Sequence, residues 1–363
     1  MASLITVQLG LLDPLYSLFG LVLGTLYTWL NSYGLVIILF TILIRLVLMP
    51  LGLRSQRSTL RQQMLQPEVN EIKRRYGKDQ ARVNELTQQL YKENGISMMS
   101  GCLPTLLQLV VIWPIIYIFR APLRFISSVD MQNIYKIANM LGDKGLMTAA
   151  QVKNVASMDI PVLNGLNASG SALQQSVSNG WIRLPQFIDT KFLGMDLGMT
   201  PSYNPLQWFG SQWQIQLPLV LLIIITMLTY FFQMRIMRKS TARPEKTKEE
   251  KQREKANPAK RGQDPDPGAG MMKGMNLFMP LIMLFTMFSM PASMCLYWLF
   301  QNVMYLIQSA LGYQYYVKPI RLAHAAEQAV FDRSRPGGSS IESPEKSGGF
   351  KAFFERLRSK KDD

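Results

Sequence analysis

Residues Gly34 to Leu51 read GLVIILFTILIRLVLMPL and contain one charged residue, Arg45. An apolar run of this length is close to the roughly 20 residues that a helix needs to cross the hydrocarbon core of a bilayer. The stretch therefore predicts a membrane-spanning helix. It also makes Arg45 unusual, because an arginine at the centre of such a helix costs about 2.5–3.5 kcal/mol on insertion scales.

Four further apolar runs of spanning length contain no charged residue at all. They are residues 102–119, 215–233, 275–290 and 292–312, and the last two are separated only by a short turn at Pro291. Together with residues 34–51 they predict five transmembrane helices. The predicted fold class is an all-α polytopic membrane protein.

Residues 1–33 are predicted to form an N-terminus outside the cell and an amphipathic helix that lies in the membrane interface. The helix extends from Pro14 to Trp29, and its Tyr16, Tyr27 and Trp29 are residue types that are enriched at membrane interfaces. The alternative is a second spanning helix that is joined to residues 34–51 by a tight hairpin.

Four polar segments separate the predicted spans. Apolar residues at helical spacing on both sides of Gly77 predict a helical hairpin over residues 52–101. Residues 120–214 are predicted to be a mixed, partly ordered extracytoplasmic loop. Residues 234–274 are predicted to be a flexible basic loop, and residues 313–363 a basic, partly disordered tail.

The distribution of lysine and arginine predicts the orientation of the chain. These residues are dense in the hairpin, the basic loop and the tail, sparser in residues 120–214, and absent before Arg45. Cytoplasmic segments of membrane proteins carry the excess of basic residues. With five spans, the three dense segments all fall in the cytoplasm, the N-terminus lies outside and the C-terminus lies inside.

Several classes of function are disfavoured by the composition. The two cysteines, Cys102 and Cys295, both lie in apolar runs, and His324 is the single histidine. The sequence therefore indicates neither a disulfide framework nor a metal site. No phosphate-binding loop occurs, so no nucleotide cofactor is expected. The net charge of +15 is concentrated in membrane-flanking segments, so we predict no DNA partner. The predicted spans contain no carboxylate, histidine or plausible nucleophile pair, so we predict no enzymatic activity and no cofactor.

Arg45 is the strongest candidate for a functional residue. In the simpler interpretation its long side chain snorkels to the cytoplasmic headgroups. In the functional interpretation, Arg45 faces a water-filled cavity that is lined by polar residues of the spans. No acidic residue lies in any predicted span, so a buried salt bridge is excluded and hydration is favoured. The polar residues are Thr41, Gln108, Gln233, Gln301 and Asn302.

Several separated strings resemble the YidC/Oxa/Alb insertase family. They are LYTWLNSYGLVIILFTILIRLVLMPL, then MLQPEVNEIKRRYGKDQARVNELTQQLYKENGISMMSGCLPTLLQ, then YFFQMRIM, and finally MPASMCLYWLFQNVMYLIQ. The resemblance covers roughly residues 14–314, except for the loop 120–214, which is longer than the usual core loop. It implies five core helices around a hydrophilic groove that is open to the cytoplasm and the lipid and closed on the outside.

The resemblance also implies roles for individual residues. Arg45 matches the groove arginine of that family, Thr41 the polar residue one turn earlier and Gln233 the glutamine of the F-F-x-Q motif. Trp298 matches an aromatic residue that the family places against the substrate. Gln108 and Gln301 are added to the predicted groove from their spacing alone.

The predicted function is that of a membrane protein insertase of the bacterial plasma membrane that acts without nucleotide hydrolysis. Its predicted partners are nascent membrane proteins and membrane lipids. The hairpin is a candidate site for the Sec translocon. The tail is a candidate for the ribosome or the membrane surface, or is simply disordered. The alternative function is a small anion transporter or channel.

Overall fold

A computed structural model describes residues 2–77, 79–97, 103–210, 213–241, 278, 280–319 and 322 of the chain. The basic loop beyond residue 241, the first residues of the predicted span 275–290, and the tail beyond residue 322 lie outside the described residues. The described part forms two compact units, Met1–Pro50 with Thr105–Ser309 and Leu51–Pro104 with Ala310–Asp363.

The described chain consists of helices and one two-stranded hairpin, joined by turns and loops. The long helices are α1 (Ala2–Leu30), α2 (Tyr33–Met64), α3 (Gln66–Tyr76), α4 (Gln80–Glu93), α5 (Leu103–Arg120), α12 (Trp213–Thr241), α13 (Pro280–Ser289) and α14 (Ala292–Gly312). Between α5 and α12 lie α6 (Pro122–Phe125), α7 (Met131–Asp143), α8 (Ala149–Lys153), α9 (Ile160–Ala168), α10 (Gly170–Ser178), strands β1 (Lys191–Phe192) and β2 (Met195–Asp196), and α11 (Pro205–Phe209).

Two of the described helices, α2 and α12, are long and apolar enough to cross a membrane. Helix α13 and the Leu106–Arg120 part of α5 are shorter apolar helices. Helix α2 continues without a break through Pro50 to Met64, well beyond the predicted end of the span at Leu51. A proline removes only one helical hydrogen bond, and a spanning helix accommodates that loss when neighbouring groups compensate.

Helix α1 begins at Ala2, twelve residues before the predicted interfacial helix, and Pro14 lies inside it. The helix ends at Leu30, where Asn31 adopts the left-handed conformation with φ 45° and turns the chain into α2. Its aromatic side chains pack against neighbouring helices: Tyr16 lies 5.5 Å from Phe125, ring centre to ring centre, and Phe19 lies 5.5 Å from Phe40.

Two glycines bring the backbone of α1 close to the segment that follows α5. A Cβ atom on Gly20 would lie 2.6 Å from the carbonyl oxygen of Phe125, and one on Gly24 would lie 2.8 Å from that of Ile126. Both glycines lie on the same face because they are four residues apart. The G-x-x-x-G spacing therefore allows a backbone-to-backbone contact that any larger residue would prevent.

The second compact unit contains the helical hairpin. Helices α3 and α4 pack against each other around Leu65, Val69, Tyr91 and Ile96. The turn between them ends at Asp79, whose carboxylate accepts a hydrogen bond from the Arg82 N–H and caps α4.

Residues 121–210, which we name the cap domain, form a small helical domain instead of the mixed loop expected from the sequence. Ile134, Ile137 and Leu141 recur at helical spacing on α7 and are fully buried with Leu163 and Leu166 of α9. The short helices and intervening glycines dilute this amphipathic signal in the sequence, which is why the segment resembles a loop.

The cap domain contacts several long helices at the ends that lie on one side of the bundle. The N–H groups of Ala292 and Ser293, at the start of α14, donate to the carbonyl oxygens of Met199 and Leu197 at 2.8 and 2.9 Å. The Phe192 ring lies directly against Gly34, near the start of α2. Helices α2, α12 and α14 therefore begin at the cap domain, whereas α5 and α13 end there.

One buried carboxyl group links two segments of the cap domain. Asp159 is buried, and its two carboxylate oxygens accept hydrogen bonds from the backbone N–H groups of Leu123 (3.1 Å) and Arg124 (3.0 Å). Burial raises the pKa of the Asp159 carboxyl to about 7, although the hydrogen bonds from Arg124 and Leu123 and the Arg124 charge act in the opposite direction.

We predict that Gly24→Ala destabilises the protein by about 1–3 kcal/mol, the usual cost of overpacking, because its methyl group would collide with the Ile126 backbone. Thermal unfolding of the full chain in detergent measures this. Thr25→Ala is the matched control, since Thr25 is exposed on the next position of the same helix. Equal stability of the two variants would contradict the close approach.

We predict that Asp159 makes stability fall as the pH rises from about 4 to about 7. The folded carboxyl keeps its proton up to a pKa of about 7, whereas an unfolded aspartate loses it near pH 4, so the folded state binds more protons in this window. Unfolding of the wild type and of Asp159→Asn across pH 4–8 tests this. In the Asp159→Asn variant, the free energy of unfolding should no longer fall with pH by the amount that Asp159 contributes. Parallel pH profiles of the two proteins would contradict the raised pKa of Asp159.

Candidate functional site

Arg45 and Gln301 lie at similar depths in the helix bundle. Arg45 is twelve residues from the first residue of α2, about 18 Å along the helix axis, and Gln301 is nine residues from the first residue of α14, about 14 Å. Because both helices begin at the cap domain, the two side chains can meet. The Arg45 Nε–H donates to the Gln301 side-chain oxygen at 2.7 Å.

The guanidinium of Arg45 also contacts an aromatic ring. Its central carbon lies 5.6 Å from the ring centre of Tyr305, which is within the range of a cation–π interaction. Tyr305 donates in turn from its hydroxyl to the sulfur of Met237 on α12, at 3.8 Å. The arginine therefore joins α2 to α14, and Tyr305 extends the contact to α12.

Tyr297 extends the polar surroundings of Arg45 toward the cap domain. Tyr297 is fully buried and lies one helical turn before Gln301 on α14. It makes no hydrogen bond of good geometry to any described residue. Since Tyr297, Gln301 and Tyr305 are spaced four residues apart, they form one polar stripe along α14.

The site carries an uncompensated positive charge. No acidic side chain forms an ion pair with Arg45 in the part of the chain that the structure describes. A hydrogen bond to a charged group is worth about 1.5–3 kcal/mol, and a cation–π contact about 0.5–2 kcal/mol. The free energies of these two contacts are comparable with the insertion cost of the arginine, but both partners, Gln301 and Tyr305, are neutral. The charge is thus stabilised without being cancelled.

The structure assigns Thr41 a different environment from the one expected. Thr41 is fully buried, and its hydroxyl donates to the Ile37 carbonyl oxygen of its own helix at 2.6 Å. This hydrogen bond occupies the one donor of the side chain. Thr41 therefore lies one turn from Arg45 but does not offer its proton to a cavity.

Gln233 and Trp298 have no described contact with Arg45. Gln233, on α12, is half-buried, and its side-chain oxygen is buried without a hydrogen-bond partner among the described residues. Trp298 is half-buried and packs against the main hydrophobic core. Of the six residues predicted for the groove, the structure shows a direct contact between Arg45 and Gln301.

Asn302 follows Gln301 but contacts a different helix. Its side-chain amide donates to the Thr226 carbonyl oxygen (3.3 Å) and to the Thr229 hydroxyl (3.4 Å) on α12. Asn302 thus connects α14 to α12, whereas Gln301 connects α14 to Arg45.

The sequence interpretation missed Tyr297 and Tyr305. Tyrosine in a spanning segment is usually taken as an interfacial residue, so neither tyrosine was assigned to the groove. The signal that identifies them is their four-residue spacing on either side of Gln301.

The chain matches the family described as 60Kd inner membrane protein over residues 25–319, which includes Arg45, Gln301 and every helix from α2 to α14. The chain belongs to this family. Membership confirms the relationship that the sequence motifs predict, and it fits an all-α membrane protein.

Similar proteins within the family are called membrane protein insertase YidC. The chain is 37% identical to the one from Caldanaerobacter subterraneus over 101 residues, which are 28% of this chain and 49% of that protein. It is 41% identical to the relative from Clostridium tetani over 89 residues, which are 24% of this chain and 40% of that protein. It is 36% identical to the relative from Chlorobaculum parvum over 103 residues, which are 27% of this chain and 18% of that protein. The chain thus spans about half or less of the length of the curated relatives that it matches.

We predict that Gln301 and Arg45 are energetically coupled and that Asn302 and Arg45 are not. A double-mutant cycle of Arg45→Ala with Gln301→Ala should give a coupling of about 1.5–3 kcal/mol, the value of a hydrogen bond to a charged group. The matched cycle with Asn302→Ala should be additive to within about 0.5 kcal/mol. Unfolding in detergent provides both measurements, and additive behaviour of Gln301→Ala would contradict the contact.

Proposed function

We propose that this member of the 60Kd inner membrane protein family is a membrane protein insertase of the bacterial plasma membrane. The single observation that supports this most directly is Arg45, a charge at membrane depth that neutral groups on α14 hold in place. An intramembrane charge without a counter-ion indicates a functional site that handles polar or negative groups. Relatives that are called membrane protein insertase YidC agree with this function.

We propose that α2, α5, α12, α13 and α14 are five spanning helices around a hydrophilic groove. In this topology the N-terminus and the cap domain are extracytoplasmic, α1 is interfacial, and the basic hairpin, loop and tail are cytoplasmic. The lysine and arginine distribution supports this orientation. The alternating helix directions relative to the cap domain fit it as well.

In the proposed mechanism, the groove lowers the barrier for moving a short polar segment across the bilayer. Arg45 attracts acidic side chains and carbonyl groups of the segment, and Gln301 keeps the guanidinium at a fixed depth. The apolar helix of the substrate leaves sideways into the lipid. Each central Leu, Ile or Phe that enters the lipid contributes about 0.3–0.6 kcal/mol, so no nucleotide hydrolysis is needed. Trp298 and Gln233 are proposed to contact the passing chain.

The proposed partners are nascent membrane proteins and the surrounding lipids. The basic hairpin is proposed to recruit nascent chains or the Sec translocon, and the basic tail to contact the ribosome. Family membership favours the insertase over the alternative of a small anion channel.

We predict that Arg45→Ala lowers the insertion yield about tenfold, because the groove loses an interaction worth about 1.5–3 kcal/mol. Arg45→Lys keeps the charge and the ability to donate hydrogen bonds and should lose much less. The measurement is insertion of a small single-span substrate into liposomes that contain the purified protein and no ATP. Arg235→Ala is the matched control, since Arg235 is an exposed arginine of α12.

The same liposomes separate the two functions. Insertion that depends on Arg45 without anion flux supports the insertase. Anion flux that depends on Arg45, with no insertion, would show that the chain is a channel.

A further inference from the structure

The short helix α11 carries two of the most exposed apolar side chains in the described chain. Leu206 is 80% exposed and Phe209 is 78% exposed, although Trp208 in the same five-residue helix packs against α13. We propose that residues 203–209, together with Trp213, form an anchor segment that lies in the lipid interface of the outer leaflet. This inference rests on the topology in the proposed function.

The opposite face of the anchor segment is fixed to α13. The Trp208 indole stacks on Phe288, with ring centres 6.1 Å apart, and its N–H donates to the Ser202 carbonyl oxygen at 2.8 Å. The Tyr203 hydroxyl hydrogen-bonds to the Phe285 carbonyl oxygen at 3.0 Å and to the Ser289 hydroxyl. The segment is therefore held rigidly, and Leu206 and Phe209 are not needed for that packing.

The exposed face of the anchor segment continues directly into apolar helix surfaces. Phe285 of α13 is 65% exposed, and Ile215 and Leu221 near the start of α12 are 45% and 47% exposed. In a spanning helix such side chains face the lipid. Because Trp213 is the first residue of α12 and is half exposed, the anchor segment meets these surfaces at the level where α12 would enter the bilayer.

The charge pattern specifies lipid as the occupant of this surface. The sequence from Leu197 to Met234 contains no charged residue, which covers the anchor segment and the apolar part of α12 without interruption. A site for a soluble protein partner usually has a polar rim. Tryptophan and tyrosine beside apolar side chains are instead typical of the membrane–water interface. The charged residues of the cap domain lie before this stretch, with Asp196 as the last.

The anchor segment gives the cap domain a contact with lipid in addition to its contacts with the helices. Backbone hydrogen bonds from Ala292 and Ser293 fasten the cap domain to the start of α14. Tyr203 and Trp208 fasten it to the end of α13. Leu206 and Phe209 add the attachment to the bilayer itself.

The experiment uses site-directed spin labels on the full chain in liposomes without substrate. In a Cys102→Ser, Cys295→Ala background, Leu206→Cys and Phe209→Cys each receive a nitroxide. Leu146→Cys is the matched control, because Leu146 is an exposed leucine of the cap domain beside the charged Lys144. Collision with oxygen reports lipid, and collision with a water-soluble nickel chelate reports water.

We expect the ratio of oxygen to nickel collisions at positions 206 and 209 to exceed that at position 146 several-fold. Nickel collisions as frequent as at position 146 would place the segment in water and overturn the proposal. Immobilised labels that are shielded from both agents would show a protein contact, such as a second copy, and would overturn it as well. Because no insertion is measured, failure here is distinguishable from failure of the insertase proposal.

Discussion

The hydrogen bond between Arg45 and Gln301 determines how the described bundle must be assembled. A guanidinium at membrane depth has to find partners inside the protein or in water, since lipid offers none. Gln301 and Tyr305 provide neutral partners on α14. They can do so only if α2 and α14 begin at the same level. The contacts of the cap domain with Gly34 and with Ala292 and Ser293 hold both helix starts in that position.

The apolar runs 102–119 and 292–312 coincide closely with the helices α5 and α14, because uncharged stretches of that length have few other stable conformations. The hydrogen bond of Arg45 could be anticipated only as a need for polar neighbours. Which neighbour it takes depends on the relative depths of two helices, and the cap domain sets them. Gln301 was placed in the predicted groove from its spacing alone, and the structure puts it in contact with Arg45, whereas Tyr297 and Tyr305 were missed because tyrosine at such positions usually signals an interface.

The extent of α1 and the helical order of the cap domain could not be predicted from the sequence either, and the physical reason is a different one. Both depend on tertiary contacts between short or weakly amphipathic elements. Gly20 and Gly24 in α1 give no signal in the sequence, yet they allow a close backbone contact with the cap domain. The burial of Asp159, which joins two distant segments of that domain, likewise leaves no local signal.

The choice of a glutamine at position 301 matters for the proposed mechanism. A glutamate there would form a strong ion pair with Arg45 and would cancel its charge for any passing segment. An amide fixes the guanidinium with its oxygen and leaves the net charge in place, and the Tyr305 ring acts in the same way through its negative face. The arginine is therefore held and still electrostatically active. A site that must act on many different polar segments requires this combination, because a fixed charge attracts any negative or carbonyl-rich stretch without demanding a particular sequence.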